Sequence, residues 1–239
     1  MLAGLWATPQ LIRSICPMSD LRLVIFDVDG TLIDSQTEIM AAMAAAFASE
    51  AIAMPEHNAV LSIVGLSLDE AFARLCPDSD VILRARLVEA YKASFAGLRT
   101  QGKEMGPMFP GTRDVLQTLQ ASDDVLLAVA TGKSRRGLDK VLERHDLQGV
   151  FHSEQVADHH PSKPNPSMIL TAMNELGVDA RQTVMIGDTT FDMDMGRAAG
   201  VHTIGVSWGY HPAEALRPDV LIDDFAALPA AIDQVMDKR

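Results

Sequence analysis

Residues 23–32 read LVIFDVDGTL, an apolar run that ends in two carboxylates, a glycine and a threonine. A short apolar run bounded by turn-forming residues is typical of a buried strand that opens into a loop. Side chains two residues apart on a strand share a face, so Asp27 and Asp29 are predicted to enter one site together. Two carboxylates so close repel each other unless a cation separates them or one keeps its proton. Alternatively, Asp29-Gly30 only forms a turn after an ordinary strand. Three later segments of the chain, described below, argue against this interpretation.

Composition limits the class of protein. The 239 residues suffice for one large domain or for a core with an insertion, and the 48% hydrophobic share allows a sizeable core. Twenty basic residues against 32 acidic ones give a net charge of -12. This charge disfavours nucleic acid or an anionic membrane as the main partner. An anionic substrate would need a local feature of its binding site that offsets this negative charge.

Cysteine usage and hydropathy favour a cytoplasmic protein. Cys16 and Cys76 are too few for a disulfide framework and lack metal-ligand spacing. The longest apolar run, residues 39–48, is too short to span a bilayer. Residues 1–20 lack the basic region and cleavage site of a signal peptide, and Met18 stands just before the first strand. We interpret 1–20 as an extension or a mis-assigned start.

The chain changes character after the first strand. Residues 34–98 are rich in Ala, Met, Leu, Glu and Arg, which favour helix. We predict helices over 37–47, 67–75 and 81–95, the second opening with a capping box from Ser67 to Glu70. Glycines and prolines between 97 and 111 mark a loop-rich return. These features predict a helical insertion over 34–108 and a core made of 21–33 and 109–239.

Strands alternate with helices beyond the insertion. We predict strands over 125–130, 183–186, 201–206 and 220–222, and helices over 114–120, 135–145, 167–176 and 191–199. This alternation predicts an α/β fold with a doubly wound, mostly parallel sheet. Ligands bind such sheets at the C-terminal ends of the strands.

Thr131 and Gly132 follow the second strand, where a hydroxyl and approachable backbone N–H groups suit a phosphate or carboxylate oxygen. Residues 132–134 read GKS, but Leu127 stands where a nucleotide-binding P-loop needs glycine, so we exclude that motif. Alone, Thr131 would be a helix cap or a turn residue. Its place at a neighbouring strand end favours a functional role.

Lys163 lies in a loop stiffened by Pro161, Pro164 and Pro166. A fixed ammonium ion is a good counter-charge for phosphate, although a lone loop lysine is usually solvated. The adjacent histidines at 159 and 160 lack the spacing of a metal site and favour a surface loop.

Asp188 ends the strand predicted over 183–186, so it can reach the same site as the first two aspartates. Three carboxyl groups near phosphate indicate a hard, oxygen-seeking cation, and Mg²⁺ is the natural candidate. Asp192 either supports that site or supplies a favourable charge to the first turn of a helix. Asp194 is interpreted as solvated helix surface.

Together these segments resemble the four motifs of the haloacid dehalogenase-like hydrolase superfamily, in their order and approximate spacing. The segments are Asp27-Val28-Asp29-Gly30-Thr31, Thr131-Gly132, Lys163-Pro164, and Gly187-Asp188 with Asp192. The insertion resembles the helical cap of the group that contains phosphoglycolate phosphatase and β-phosphoglucomutase. The resemblance implies a Rossmann-like sheet with an inserted all-helical cap domain.

The resemblance also implies catalytic roles. Asp27 would be the nucleophile that accepts phosphoryl, and Asp29 the general acid and base. Thr131 and the backbone at Gly132 would hold the phosphoryl oxygens, and Lys163 would offset their charge.

The implied metal site contains Mg²⁺. Asp188 would bind this ion together with the Asp27 carboxylate and the Asp29 backbone carbonyl, with Asp192 in support. An aspartate at position 29 disfavours dehalogenase chemistry, because family members that cleave carbon–halogen bonds generally lack it.

The implied function is a magnesium-dependent phosphatase acting on a small phosphorylated metabolite of the phosphoglycolate or sugar phosphate type, through an aspartyl phosphate. A phosphomutase of the same fold and a non-catalytic phosphate-binding or signalling protein remain open, as does the oligomeric state. Arg74, Lys92 and Arg99 are candidates for reading a substrate carboxylate, although solvated surface suits each of them too. Residues 64–67 are predicted to form a cap loop that faces the core.

Overall fold

The computed structural model describes residues 21–100 and 106–236, so the predicted extension over 1–20 lies outside the described residues. The described chain contains one six-stranded sheet with the order β3-β2-β1-β4-β5-β6, in which every neighbouring pair is parallel. The strands are β1 (Arg22–Phe26), β2 (Val125–Thr131), β3 (Ser153–Val156), β4 (Thr183–Gly187), β5 (His202–Val206) and β6 (Val220–Ile222). The predicted parallel α/β fold is confirmed.

Helices cover both faces of this sheet. In the core they are α5 (Thr112–Gln120), α6 (Arg135–Arg144), α7 (Ser167–Leu176), α8 (Thr190–Ala199), α9 (Ala213–Leu216) and α10 (Leu228–Met236). Alternate side chains of β1 serve opposite layers: Val24 and Phe26 join the apolar cluster that includes α5, α6 and α10. Leu23 and Ile25 join the cluster that includes α7 and α8. Burial on both faces explains why β1 is continuously apolar.

The central position of β1 determines where a ligand can bind. Phe26 pairs with Val129 of β2 on one side and with Ile186 of β4 on the other. The strand order reverses here, because β2 and β3 lie on one side and β4 to β6 on the other. The crevice beyond the C-terminal ends of the strands at such a reversal is the usual ligand site in open α/β sheets. Asp27 lies at this point.

The residues between β1 and α5 include a separate helical layer. Its helices are α1 (Gln36–Ser49), α2 (His57–Leu61), α3 (Leu68–Leu75) and α4 (Val81–Thr100). They enclose their own apolar cluster, in which the Phe72 ring lies 6.1 Å from the rings of both Phe47 and Tyr91. The three helices predicted here are confirmed, although α4 is longer than predicted and α2 was not predicted.

The predicted capping box at α3 is wrong. Ser67 is the N-cap residue, but its side chain makes no capping hydrogen bond. Its backbone N–H donates to Ser162 Oγ at 2.9 Å, and Glu70 pairs with Arg74 at 2.9 Å. The backbone N–H of Ser67 and the carboxylate of Glu70, which would pair in a capping box, are therefore engaged elsewhere. A tertiary contact between the helical layer and the core replaces the local motif.

In the described ranges, no helix is long and apolar enough to cross a membrane.

Candidate active site

Asp27 is a buried carboxylate at the end of β1. Its backbone N–H donates to the Ile186 carbonyl at 2.9 Å, which extends the pairing of β1 with β4 and fixes the residue in place. Neither carboxylate oxygen accepts a hydrogen bond of good geometry from the described residues. Burial raises the pKa of Asp27 to about 7, an effect that Lys163 opposes and that the charges of Asp192 and Asp29 reinforce. Such an unsatisfied, desolvated carboxylate needs cations close to it.

Lys163 provides part of that charge. Its fully buried ammonium ion lies 3.0 Å from Asp27 Oδ1 and 2.7 Å from Asp192 Oδ1. Burial alone would lower the pKa of Lys163, but Asp192 and Asp27 outweigh burial and raise it. The interpretation of Lys163 as a solvated loop residue is thereby excluded.

Asp192 occupies the third position of α8 and is engaged at both of its oxygens. Oδ1 contacts Lys163, while Oδ2 accepts hydrogen bonds from the Thr189 N–H at 3.1 Å and the Thr189 hydroxyl at 2.6 Å. Thr189 and Asp192 form a capping box. Asp192 therefore caps α8 and contacts Lys163 at the same time.

Asp188 follows β4 and is fully buried. Thr31 donates its hydroxyl to Oδ1, and the Tyr210 N–H donates to Oδ2, each at 2.8 Å. Burial, and after it the charges of Asp192 and Asp27, raise the pKa of Asp188 well above its usual range. These two hydrogen bonds hold the carboxylate in a fixed orientation. Each oxygen keeps a free lone pair and can still bind a cation.

These aspartates form a donor set that suits a divalent cation. Oxygens of Asp27, Asp188 and Asp192 lie within 4.8 Å of one another, and all three side chains are buried. Within this cluster, three carboxylates face the single ammonium ion of Lys163. Oxygen-only donors and the excess negative charge fit Mg²⁺. Asp192 has the least capacity left for the ion, since its Oδ2 already accepts two hydrogen bonds and its Oδ1 contacts Lys163.

Thr131 and Gly132 lie at the neighbouring strand end. Thr131 is buried, and its hydroxyl accepts from the Lys133 N–H at 3.3 Å. A Cβ atom at Gly132 would lie 2.5 Å from the Gly65 carbonyl oxygen and 2.6 Å from that of Leu66. The loop over 64–67 thus touches the core directly above the end of β2. Glycine is needed at 132 because this loop approaches so closely.

Asp29 lies outside the cluster of three carboxylates and lines a cavity below the helical layer. Its Oδ1 lies 2.8 Å from the ammonium ion of Lys133. Asp29, Lys133 and Gly132 line a cavity of about 200 Å³ whose other wall is formed by α1, α3, α4 and the loop at 64–67. This arrangement places a pocket for an organic group beside Asp29.

The other residues considered from the sequence lie apart from the carboxylate cluster. Arg74 pairs with Glu70 and lies over the Phe191 ring, and Lys92 pairs with Glu89 and lines the cavity. The side chain of Arg99 lies outside the described residues. His160 contacts Gln155 and Ser167, and Asp194 pairs with Arg197 on the surface.

Comparison with known proteins identifies the family. The model of the haloacid dehalogenase-like hydrolases matches residues 24–206, more than half of the chain. The chain belongs to the haloacid dehalogenase-like hydrolase family. This assignment confirms the resemblance seen in the four motifs, all of which fall inside the matched range.

Relatives of this haloacid dehalogenase-like hydrolase include named phosphatases. It is 37% identical over 218 residues to the "Probable phosphatase IndB" of Dickeya dadantii, covering 87% of this chain and 92% of that protein. It is 32% identical over 228 residues to a phosphoglycolate phosphatase of Agrobacterium fabrum, covering 90% and 94%.

Solved structures show the same fold at lower identity. The crystal structure of a "predicted phosphoglycolate phosphatase" from Haemophilus somnus matches with a TM-score of 0.78 at 21% identity, covering 90% of this chain and 99% of that one. The β-phosphoglucomutase of Clostridium difficile matches with a TM-score of 0.75 at 18% identity, covering 91% and 98%.

Sequence reasoning missed three contacts of this hydrolase. The hydroxyl of Thr31 and the backbone of Tyr210 orient Asp188, and Lys133 pairs with Asp29. Thr31 lies inside the first motif, but the motif alone assigns it no role. Lys133 had a usable signal, since it directly follows a glycine at a strand end. Tyr210 contributes only backbone, which no residue pattern reveals.

Proposed function

We propose that the chain is a magnesium-dependent phosphatase that hydrolyses a small phosphorylated metabolite through a phosphoryl group carried on Asp27. The observation that carries this proposal is the carboxylate of Asp27, which is buried and has no hydrogen bond of good geometry, beside Asp188 and Lys163. A nucleophile must keep its lone pairs free, and a buried carboxylate can do so only next to cations. The named phosphatases among its relatives support the same reaction.

Asp27 attacks the phosphorus atom of the bound phosphomonoester. A bond forms between an Asp27 carboxylate oxygen and phosphorus while the bond from phosphorus to the ester oxygen breaks. Thr131 and the backbone N–H groups near Gly132 bind the phosphoryl oxygens. Lys163, held by Asp192, offsets the negative charge that would otherwise repel the carboxylate.

Asp29 transfers protons in both halves of the reaction. It gives a proton to the ester oxygen as the alcohol leaves, and it then takes one from the water that attacks the phosphorus of the aspartyl phosphate. Inorganic phosphate leaves, and Asp27 is regenerated. The position of Asp29 at the cavity wall, away from the carboxylate cluster, suits contact with the leaving alcohol.

Mg²⁺ would be bound by the carboxylates of Asp27 and Asp188 and by the backbone carbonyl of Asp29. It supplies positive charge that makes approach of the phosphate to Asp27 favourable. Asp188 stays oriented for this role by its hydrogen bonds from Thr31 and Tyr210.

Residues 34–108 act as a cap in this proposal, over a core of residues 21–33 and 109–239. The contacts of Gly132 with the loop at 64–67 support a closed arrangement in which the cap covers the leaving group. A lid of this kind excludes water and selects substrates by shape.

A small anionic metabolite is the proposed partner, and the cytoplasm the proposed location. The net charge of -12 argues against nucleic acid and anionic membranes. The cavity offsets this charge locally, because Lys92, Lys133 and Arg136 line it.

Phosphate release from a panel of phosphorylated metabolites, including phosphoglycolate and hexose phosphates, tests the proposal in the presence and absence of Mg²⁺. We expect Asp27→Asn to abolish release. Asp194→Asn, the same change at an exposed aspartate, should leave it intact. Equal rates of phosphate release for Asp27→Asn and wild type would refute the assignment of Asp27 as the nucleophile. Conversion of a sugar phosphate into its isomer without phosphate release would indicate a phosphomutase instead.

A further inference from the structure

Lys133 is a desolvated cation that needs an anionic partner. Only 11% of its side chain is exposed, and 13% of that of Asp29, its partner at 2.8 Å. The ammonium ion also lies 5.8 Å from the centre of the Phe95 ring. Removing such a charge from water costs several kcal/mol unless an opposite charge repays it. Lys133 therefore requires a counter-charge whenever the cavity is closed.

The cavity beside Lys133 has two unlike sides. Aliphatic side chains of the helical layer form one side: Ile39, Met43, Ile63, Val64 and Leu68. Lys133 and Arg136 line the cavity from the core, Lys92 lines it from α4, and among the described lining residues Asp29 is the one carboxylate. A negatively charged group on a ligand finds no partner among these aliphatic side chains. It finds its most desolvated, and so strongest, partner at Lys133.

The proposed reaction requires Lys133 to exchange Asp29 for another ion-pair partner. Asp29 has to contact the ester oxygen of the substrate, but one of its oxygens pairs with Lys133. Lys163 and the end of β2 already serve the phosphoryl group at Asp27. The group that replaces Asp29 beside Lys133 must therefore come from the alcohol part of the substrate.

We propose that Lys133 binds a negatively charged group on the alcohol part of the substrate, so that the protein selects phosphomonoesters carrying a second anion such as a carboxylate. This inference rests on the proposed phosphatase function. It makes Lys133 a specificity-determining residue. Polyhydroxylated sugars are disfavoured, since the five aliphatic side chains offer no hydrogen-bond partners for their hydroxyl groups.

Matched pairs of phosphomonoesters test this role. Phosphoglycolate with ethyl phosphate, and 3-phosphooxypropanoate with propyl phosphate, differ only by a carboxylate in place of a methyl group. Each is tested as a competitor of p-nitrophenyl phosphate hydrolysis in Mg²⁺. We expect wild type to prefer the carboxylate member of at least one pair by about tenfold or more, the range of a hydrogen bond to a charged group. Lys133→Met should reduce this preference to less than about threefold, and Lys133→Arg should retain part of it.

Lys92→Met is the matched control, because Lys92 lines the same cavity but is half exposed and paired with Glu89. The inference is overturned if wild type shows no preference in either pair, if Lys133→Met keeps the preference, or if Lys92→Met removes it equally. The result is a ratio between the two members of one pair. A general loss of activity, from a displaced Asp29 or from lower stability, affects both members equally and cancels. Hydrolysis of p-nitrophenyl phosphate that survives Asp27→Asn would instead count against the proposed function.

Discussion

The ammonium ion of Lys163 lies 2.7 Å from Oδ1 of Asp192, and both side chains are fully buried. Thr189 occupies the other oxygen of Asp192, so the carboxylate cannot turn away. The same ammonium ion reaches Asp27 at 3.0 Å. Asp192 thus links the start of α8 to the nucleophile through one lysine.

Lys163→Met should destabilise the metal-free protein by about 3–5 kcal/mol, because it leaves buried carboxylates without their cation. Adding Asp192→Asn should recover part of the loss, since one of the unpaired charges is then removed. Urea unfolding in EDTA measures both effects. Lys140→Met, at an exposed pair with Glu143, should change the free energy by less than about 0.5 kcal/mol. Equal losses at Lys163 and Lys140 would contradict the buried network.

Asp27→Asn should make the metal-free protein more stable at about pH 8, by about 4 kcal/mol. The folded pKa of Asp27, about 7, exceeds its usual 3.8. The folded state therefore holds this proton more tightly, and the stability that this provides is fully present below about pH 4 and lost as pH rises through about 7. The variant has no such group to ionise. Urea unfolding of both proteins in EDTA across this range measures the difference.

The advantage of Asp27→Asn should shrink when Mg²⁺ is added, because the ion stabilises the wild type. At about 100 times its dissociation constant, a ligand of the folded state adds about 2.7 kcal/mol. A variant no more stable than wild type at about pH 8 in EDTA would show that burial of Asp27 carries no penalty.

Gly30→Ala should disrupt the site, whereas Gly177→Ala should only strain the backbone. Both glycines have positive φ angles, +82° and +66°, so alanine costs about 1–2 kcal/mol at each. A Cβ atom at Gly30 would lie 2.2 Å from Oδ2 of Asp188, whereas at Gly177 it meets nothing within 4 Å. We expect Gly30→Ala to weaken activation by Mg²⁺ in a titration of phosphate release. Similar metal requirements for the two variants would contradict the placement of Asp188.

The sequence predicted the sheet and its functional edge because the relevant signals are local. Asp27 directly follows β1, Asp188 directly follows β4 and Thr131 ends β2, and all three strands are buried and apolar. Parallel strands bring such ends together without further information. Strand β3 escaped prediction because Ser153-Glu154-Gln155-Val156 is polar. It is an edge strand, and its Ser153 and Gln155 are satisfied by Glu175 of α7.

Contacts between distant segments were beyond the reach of residue patterns. The capping box at Ser67 failed because the N–H of that residue donates to Ser162, which lies 95 residues away. Lys133 follows a glycine at a strand end, but only the fold places its ammonium ion against Asp29. The roles of the site residues, as distinct from their positions, remain predictions.

The central claim is that Asp27 carries the phosphoryl group, and chemical trapping tests it most directly. Borohydride reduces an aspartyl phosphate to homoserine, which mass spectrometry of the digested protein locates. Asp29→Asn with acetyl phosphate suits the experiment, because this leaving group needs no acid, while the intermediate loses the base that hydrolyses it. We predict homoserine at position 27 only when Mg²⁺ and acetyl phosphate are both present. A burst of acetyl phosphate cleavage with Asp27 unmodified, or with the label on another residue, would contradict the account.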